Sequence, residues 1–165
     1  MSKFIRTHAF WFLLVTLFFG AQFFVKRDLV SGVPPRIQAS TVNGVNFDLQ
    51  NLKGRPALLY FWASWCGICD AMDGAIDSLS RDYPVITVAM QSGNYQDVIA
   101  HLDQKGLDFP VIADESGEIS RRYGLQAVPA FFVLSPSGEV AFSGMGYTTK
   151  WGIEVRLWLA EKGWL

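Results

Sequence analysis

The chain has two cysteines in its 165 residues, and only Gly67 and Ile68 stand between Cys66 and Cys69. The pair directly follows an apolar run, Pro56 to Trp62, and opens a stretch with helical periodicity. At a helix N-terminus, unpaired backbone N–H groups and the macrodipole favour negative charge, so the first thiol ionises readily. Thiols in such settings have pKa values of roughly 3.5 to 7.5, against about 8.5 for a free cysteine. The second cysteine, nearly one helical turn on, is within reach of a mixed disulfide formed at the first. Cys66 is therefore expected to attack and Cys69, facing the core with Met72, to resolve.

Most other uses of the pair fit less well. Attached haem requires His directly after the second cysteine, and Asp70 stands there. Zinc needs two further ligands, but His8 lies in an apolar N-terminal stretch and His101 is expected alone on the surface of its helix. A peroxidatic cysteine lacks support, because the residues ahead of Cys66 include neither the Pro nor the Thr of peroxiredoxins. A purely structural disulfide would close too small a loop to restrain the unfolded chain much. Linear copper(I) coordination by the two sulfurs stays open as the alternative. No metal or cofactor is expected for the redox reading.

Composition narrows the frame around this pair. Half the residues are hydrophobic, with 13 Phe, 6 Trp and 5 Tyr, which excludes a disordered chain. A formal net charge of −1 shows none of the basic excess of a nucleic-acid binder. The apolar residues are unevenly spread: Ala9 to Val25 carries no charge, with Lys3 and Arg6 before it and Lys26 and Arg27 after it. Its 17 residues reach about 25 Å as a helix, enough to span a bilayer if the flanks snorkel. Cleavage as a signal peptide is disfavoured, because a cut after Ala21 or Gly20 places Phe19 or Phe18 three positions before it. Residues 1–27 are thus expected as an uncleaved transmembrane anchor, although basic residues on both sides leave its orientation near a tie. Removing Lys3, Arg6, Lys26 and Arg27 from the 14 Lys and Arg leaves 10 against 15 Asp and Glu. Residues 28–36, with Gly32, Pro34 and Pro35, read as a short stiff linker to a mildly acidic domain over 37–165.

The elements that must position the cysteines can be read in order. Arg36–Thr41 and Val45–Leu49 alternate around the hairpin signal Asn43-Gly44. Pro56–Trp62 and Val85–Met90 are continuous apolar runs, as in strands buried on both faces. Between them, Cys69, Met72, Ile76 and Leu79 recur at helical spacing, opposed by Asp70, Asp73 and Asp77, until Pro84. Tyr95–Lys105 reads as a helix, Pro110–Ala113 as a short strand and Glu118–Tyr123 as a short helix. Ala130–Leu134 and Val140–Ser143 flank a turn at Ser135–Gly138, and an amphipathic helix carrying Trp151, Val155, Trp158 and Leu159 closes the chain. Buried strands joined through helices imply the α/β class, a mixed sheet with helices on both sides.

The stretch FWASWCGIC, Phe61 to Cys69, resembles the active-site strand and turn of the thioredoxin superfamily. Val128-Pro129, just before the apolar strand at Ala130, resembles that superfamily's cis-proline loop, and Trp65 matches its exposed tryptophan beside the nucleophile. The resemblance implies a thioredoxin fold in which Val128 and Pro129 lie against the cysteines and pair with substrate as an added strand. The anchor, the extra hairpin and the insert from Ser92 to Asp114 are similar to TlpA/ResA-type membrane-anchored thiol-disulfide oxidoreductases. In overall plan the nearest subgroup is the suppressor-for-copper-sensitivity D proteins. Cytochrome c maturation relatives usually carry Glu after the cis-proline, where this chain has Ala130. The resemblance implies a bacterial inner-membrane protein with its catalytic domain in the periplasm. It implies a reductant of disulfide-containing substrate proteins, recharged by a membrane-bound electron donor. An anchored domain with no other cysteine suits such a redox-managed space, and a large trailing domain translocates largely regardless of loop charge.

Several positions depart from the superfamily pattern. Tyr60 stands six residues before Cys66, where cytosolic thioredoxins bury an Asp, and Met90 stands at a Lys position. No buried acid is therefore expected near Cys69. Gly74 replaces a helix-kinking Pro, and costs roughly 1 kcal/mol of helix stability against Ala. Asp70 and Asp73 are expected on a solvated acidic face.

Overall fold

The computed structural model describes Phe12 and residues 29–163. The expected anchor, apart from Phe12, lies outside these. Among the described residues no helix is long and apolar enough to cross a membrane.

A small antiparallel pair comes first, β1 (Gln38–Ser40) and β2 (Asn46–Asp48). The turn between them closes when Thr41 N–H donates to the Val45 carbonyl and Gly44 N–H to the Thr41 carbonyl, with Gly44 at φ +76°. The central sheet has five strands: β3 (Ala57–Trp62), β4 (Val85–Met90), β5 (Val111–Asp114), β6 (Ala130–Leu134) and β7 (Val140–Met145). Their spatial order is β5-β4-β3-β6-β7. β3, β4 and β5 are parallel, linked by α1 (Gly67–Asp82) and α2 (Tyr95–Lys105). Both steps move the same way across the sheet, so right-handed crossovers lay both helices on one face. The short α3 (Glu118–Arg122) then lies on the opposite face as the chain passes to β6. β6 runs antiparallel to β3 and turns through Ser135–Gly138 into β7, and α4 (Lys150–Glu161) returns to the face of α1.

Strand pleating divides the core in two. Leu58, Tyr60 and Trp62 of β3 face α1, α2 and α4, and pack with Met72, Ile76, Leu79, Val98, Leu102, Ile153 and Leu157. Ala57, Leu59 and Phe61 face the other way, where Ile37, Leu49, Tyr123 and Leu125 cover Ile86, Val88 and Phe132. Because both faces are covered, every residue of β3, β4 and β6 is buried. The unbroken apolar runs in the sequence have this cause. Phe61, Tyr123 and Phe132 meet ring to ring at centroid distances of 5.2 to 5.7 Å.

From residue 29 the stretch ahead of β1 is bound to the domain. Val30 N–H donates to the Tyr123 carbonyl, and Gly32 bridges Val140 at the sheet edge. The buried Tyr123 hydroxyl donates to the Pro35 carbonyl at 2.7 Å. One flank of α1 departs from the solvated face that periodicity predicts. Asp77 is buried, because the segment after α2 closes over it: Asp77 accepts from the Asp108 N–H at 2.9 Å and from Arg81 at 2.6 Å.

At the far side of the sheet Gly144 of β7 stands opposite Phe131 of β6, and a Cβ there would come within 2.5 Å of the ring. Phe131 is also covered by the Arg156 guanidinium, 5.5 Å above the ring centroid. Gly144→Ala is expected to destabilise the fold by about 1–3 kcal/mol through this overpacking. A lowered thermal midpoint of the full chain checks it, and an unchanged midpoint would mean the ring yields freely.

Candidate active site

Cys66 is the N-cap of α1, in extended backbone conformation at φ −101°, ψ 100°. It closes a disulfide with Cys69, at a Cα–Cα separation of 5.3 Å. The Cys69 N–H donates to Cys66 Sγ at 3.2 Å, so the cap that serine or aspartate supplies elsewhere is made here by sulfur. That N–H also points at the atom on which a thiolate charge would rest. Cys66 keeps 8% of its surface exposed and Cys69 1%, so what opening the pair has to solvent is at Cys66. Of the residues between, Ile68 is exposed, and Gly67 has open space where a Cβ would sit.

The register of the sheet brings the second component to the cysteines. β3 pairs antiparallel with β6, Phe61 opposite Ala130, so the loop entering β6 lies beside the loop leaving β3. That loop holds a cis Val128-Pro129 peptide, and the Val128 carbonyl oxygen is 3.6 Å from Cys66 Sγ. The end of β7 is tied to it, since Gly146 N–H donates to the Pro129 carbonyl at 2.7 Å. The approach to Cys66 is braced from β4. Ser64 N–H donates to Ser92 Oγ at 3.0 Å, and that hydroxyl donates to the Met90 carbonyl at 3.1 Å. Trp65 is exposed over its ring, while its Nε1 donates to the Gln91 carbonyl at 3.0 Å. Gln91 holds a positive φ of 46°, which only turns its backbone there at some cost.

The structure also supplies a buried acid that the sequence does not announce. Asp73, one helical turn beyond Cys69, is 4% exposed, and neither of its oxygens has a hydrogen-bond partner. Burial first, then the neighbouring Asp70, push its carboxyl up to about 6, partly relieved by Lys105. The expectation of a solvated face holds for Asp70, which is exposed and pairs with Lys105 at 2.9 Å. It fails for Asp73 because α2 packs over this flank of the helix. Asp73 is four residues from Cys69 and three from Ile76, both inside the apolar stripe, and this spacing is the signal that could have revealed it. His101 is half-buried and does not stand alone: its ring lies 5.2 Å from that of Trp62, and its Nε2 is buried without a partner. Burial and then Lys105 hold the His101 imidazole below its ordinary value. The buried Tyr60 hydroxyl, raised by burial and by Asp73, also lacks a partner.

A five-stranded mixed sheet with a CxxC disulfide at the head of its first long helix, facing a Val-Pro loop, defines a thioredoxin-like thiol-disulfide oxidoreductase. The chain belongs to the Redoxin family, whose profile matches residues 31–154. It is 36% identical to a thioredoxin-like protein of Haemophilus influenzae over 140 residues, 84% of this chain and 83% of the relative. It is 27% identical to the thiol-disulfide oxidoreductase ResA of Bacillus anthracis, over 73% of this chain and 72% of that one. Among solved structures, StoA from Bacillus subtilis superposes with a TM-score of 0.66 at 26% identity, covering 75% of this chain and 97% of StoA.

The Asp73 carboxyl makes the stability of the fold depend on pH. Its folded value, about 6, lies above the ordinary 3.8, so the fold prefers the neutral acid. The stabilisation from this group is complete below about pH 4 and is lost as pH rises through 6. Asp73→Asn keeps the shape without the charge and is expected to gain roughly 1–3 kcal/mol at pH 7 and nothing at pH 4. Thermal midpoints of both proteins, measured in EDTA at the two pH values, check this, and a gain that ignores pH would sink it.

Proposed function

We propose that the protein is a membrane-tethered reductant of disulfide-bonded substrate proteins in the bacterial periplasm. The observation that carries the reading is the asymmetry of the two cysteines: Cys66 at the helix N-cap with 8% of its surface open, Cys69 after it in the helix and closed off at 1%. In the reduced protein the Cys66 thiolate attacks a substrate disulfide, forming a mixed disulfide and releasing one substrate thiolate. The Cys69 thiolate then attacks Cys66 Sγ, expels the second substrate thiolate and closes the Cys66–Cys69 bond. Two electrons pass to the substrate, and a membrane-bound dithiol donor returns two to the protein. The substrate chain adds as an extended strand along Val128, whose carbonyl already faces the sulfur.

The tether rests on the uncharged stretch from Ala9 to Val25 and its basic flanks. The periplasmic side is supported by the cysteine economy of the chain: one CxxC pair and no other thiol suit a compartment where disulfides form. The reducing direction is inferred from the resemblance of the active-site stretch and overall plan to the TlpA/ResA-type proteins.

Cys69→Ser in the full chain is expected to accumulate mixed disulfides with other proteins, visible as dithiothreitol-sensitive bands on a non-reducing gel, and Cys66→Ser none. Absence of such bands from both would overturn the enzyme reading in favour of copper(I) held by the two sulfurs. A reduction potential near about −270 mV fits the reductant, and one near about −120 mV would make the protein an oxidant. For the tether, the chain should sediment with the inner membrane and lose its domain to protease added to spheroplasts. Protection from that protease would place the domain on the other side.

A further inference from the structure

Among the described residues, every buried side-chain atom without a hydrogen-bond partner belongs to Tyr60, Asp73 or His101. A fold that leaves other buried polar groups paired concentrates its exceptions in one place, between α1, α2 and β3. Such concentration asks for an occupant. The ligand atoms of Asp73, His101 and the adjacent Asp70 lie within 4.8 Å of one another. We propose that Asp70, Asp73 and His101 form a binding site for a divalent transition-metal cation of the zinc type, separate from the thiols and from the redox reading.

The donor set selects the class of ion. One imidazole nitrogen and two carboxylate oxygens, with room for water on the exposed Asp70 side, suit Zn²⁺ and its neighbours in the first transition row. Calcium takes six or more oxygens, and copper(I) prefers sulfur. Charge supports the same assignment. A carboxylate 96% removed from solvent with no partner is expensive, and two carboxylates together neutralise a dication. The burial that raises Asp73 toward about 6 without a cation is thus also what a bound cation relieves. His101 is held ready as a ligand. Stacking on Trp62 fixes its ring, and Trp62 is itself fixed by its Nε1 donating to Thr87 Oγ1 at 3.1 Å. The competitor is Lys105, whose ammonium sits on Asp70 at 2.9 Å and must leave as the metal enters.

That competition gives a test whose variants move in opposite directions. The untagged full chain, kept in detergent with its disulfide closed so that the sulfurs cannot ligate, is titrated with Zn²⁺ in a calorimeter. It is titrated separately with Co²⁺, whose visible bands report the ligand set. One equivalent is expected to bind. Asp73→Asn and His101→Gln should each weaken binding at least tenfold, and Lys105→Gln should tighten it severalfold. His101→Gln, on the other helix and only half-buried, carries the decision independently of Asp73→Asn. Absence of stoichiometric binding overturns the proposal, as does binding that survives His101→Gln or weakens in Lys105→Gln.

Discussion

Phe61 of β3 pairs with Ala130 of β6, and the two strands run in opposite directions. The end of one strand therefore lies beside the beginning of the other, and both loops that make the redox centre emerge at one edge of the sheet. Had β6 joined in parallel, Val128-Pro129 would stand at the opposite edge, and Cys66 would open a helix with nothing facing it. The pairing also explains why α3 is needed. After β5 the chain is at one margin of the sheet and must cross to the other side of β3, which places α3 on the face that α1, α2 and α4 leave open. Tyr123, just after α3, then fills the gap between Phe61 and Phe132 and holds Pro35 through its hydroxyl.

The same parallel steps that fix the site also bury the acids of α1. Two right-handed crossovers taken in one direction press α2 against the flank of α1, and Asp73 and Asp77 are caught between them. Asp77 finds a backbone N–H and an arginine, so its burial costs little. Asp73 finds neither. The difference between two aspartates one turn apart on one helix is a matter of what the facing segment offers, a loop N–H in one case and an imidazole and a phenol in the other.

How much of this was legible beforehand follows from the range of the forces involved. The continuous runs of β3 and β4 and the period of α1 and α2 are local patterns, and the strand and helix spans they predict agree closely with those observed. Cys66 and Cys69 could be read because a helix N-terminus acts on its own first residues. The position of Tyr60 holds no acid, but the buried Asp73, one turn after Cys69, overturns the expectation of none near that cysteine: its burial depends on α2, more distant in the chain, and periodicity counted on α1 alone sets it on the outside. The surroundings of His101 are hidden for the same reason, since its neighbour Trp62 belongs to a strand three elements earlier. The attachment of residues 30–35 to Tyr123 and Val140 rests on two backbone hydrogen bonds and one from the Tyr123 hydroxyl to the Pro35 carbonyl, contacts distant in sequence that no local pattern encodes.

Using sulfur as the helix cap ties structure to chemistry only loosely, and that looseness is useful. The disulfide sulfur of Cys66 accepts the Cys69 N–H more weakly than a hydroxyl or carboxylate oxygen would, so in this state the cap contributes at most about 1 kcal/mol to α1. The helix is held instead by Met72, Ile76 and Leu79 against the sheet, each fully buried, at roughly 1.5–3 kcal/mol apiece. When Cys66 becomes bonded to a substrate sulfur, α1 therefore has little to lose at its first turn and does not unwind. The N–H groups there stay aimed at the reacting atoms throughout the exchange, and the resolving Cys69, anchored by the same buried stripe, keeps its place behind Cys66. A centre that must repeatedly make and break a bond at a helix terminus is best placed where that bond is a minor part of what holds the helix.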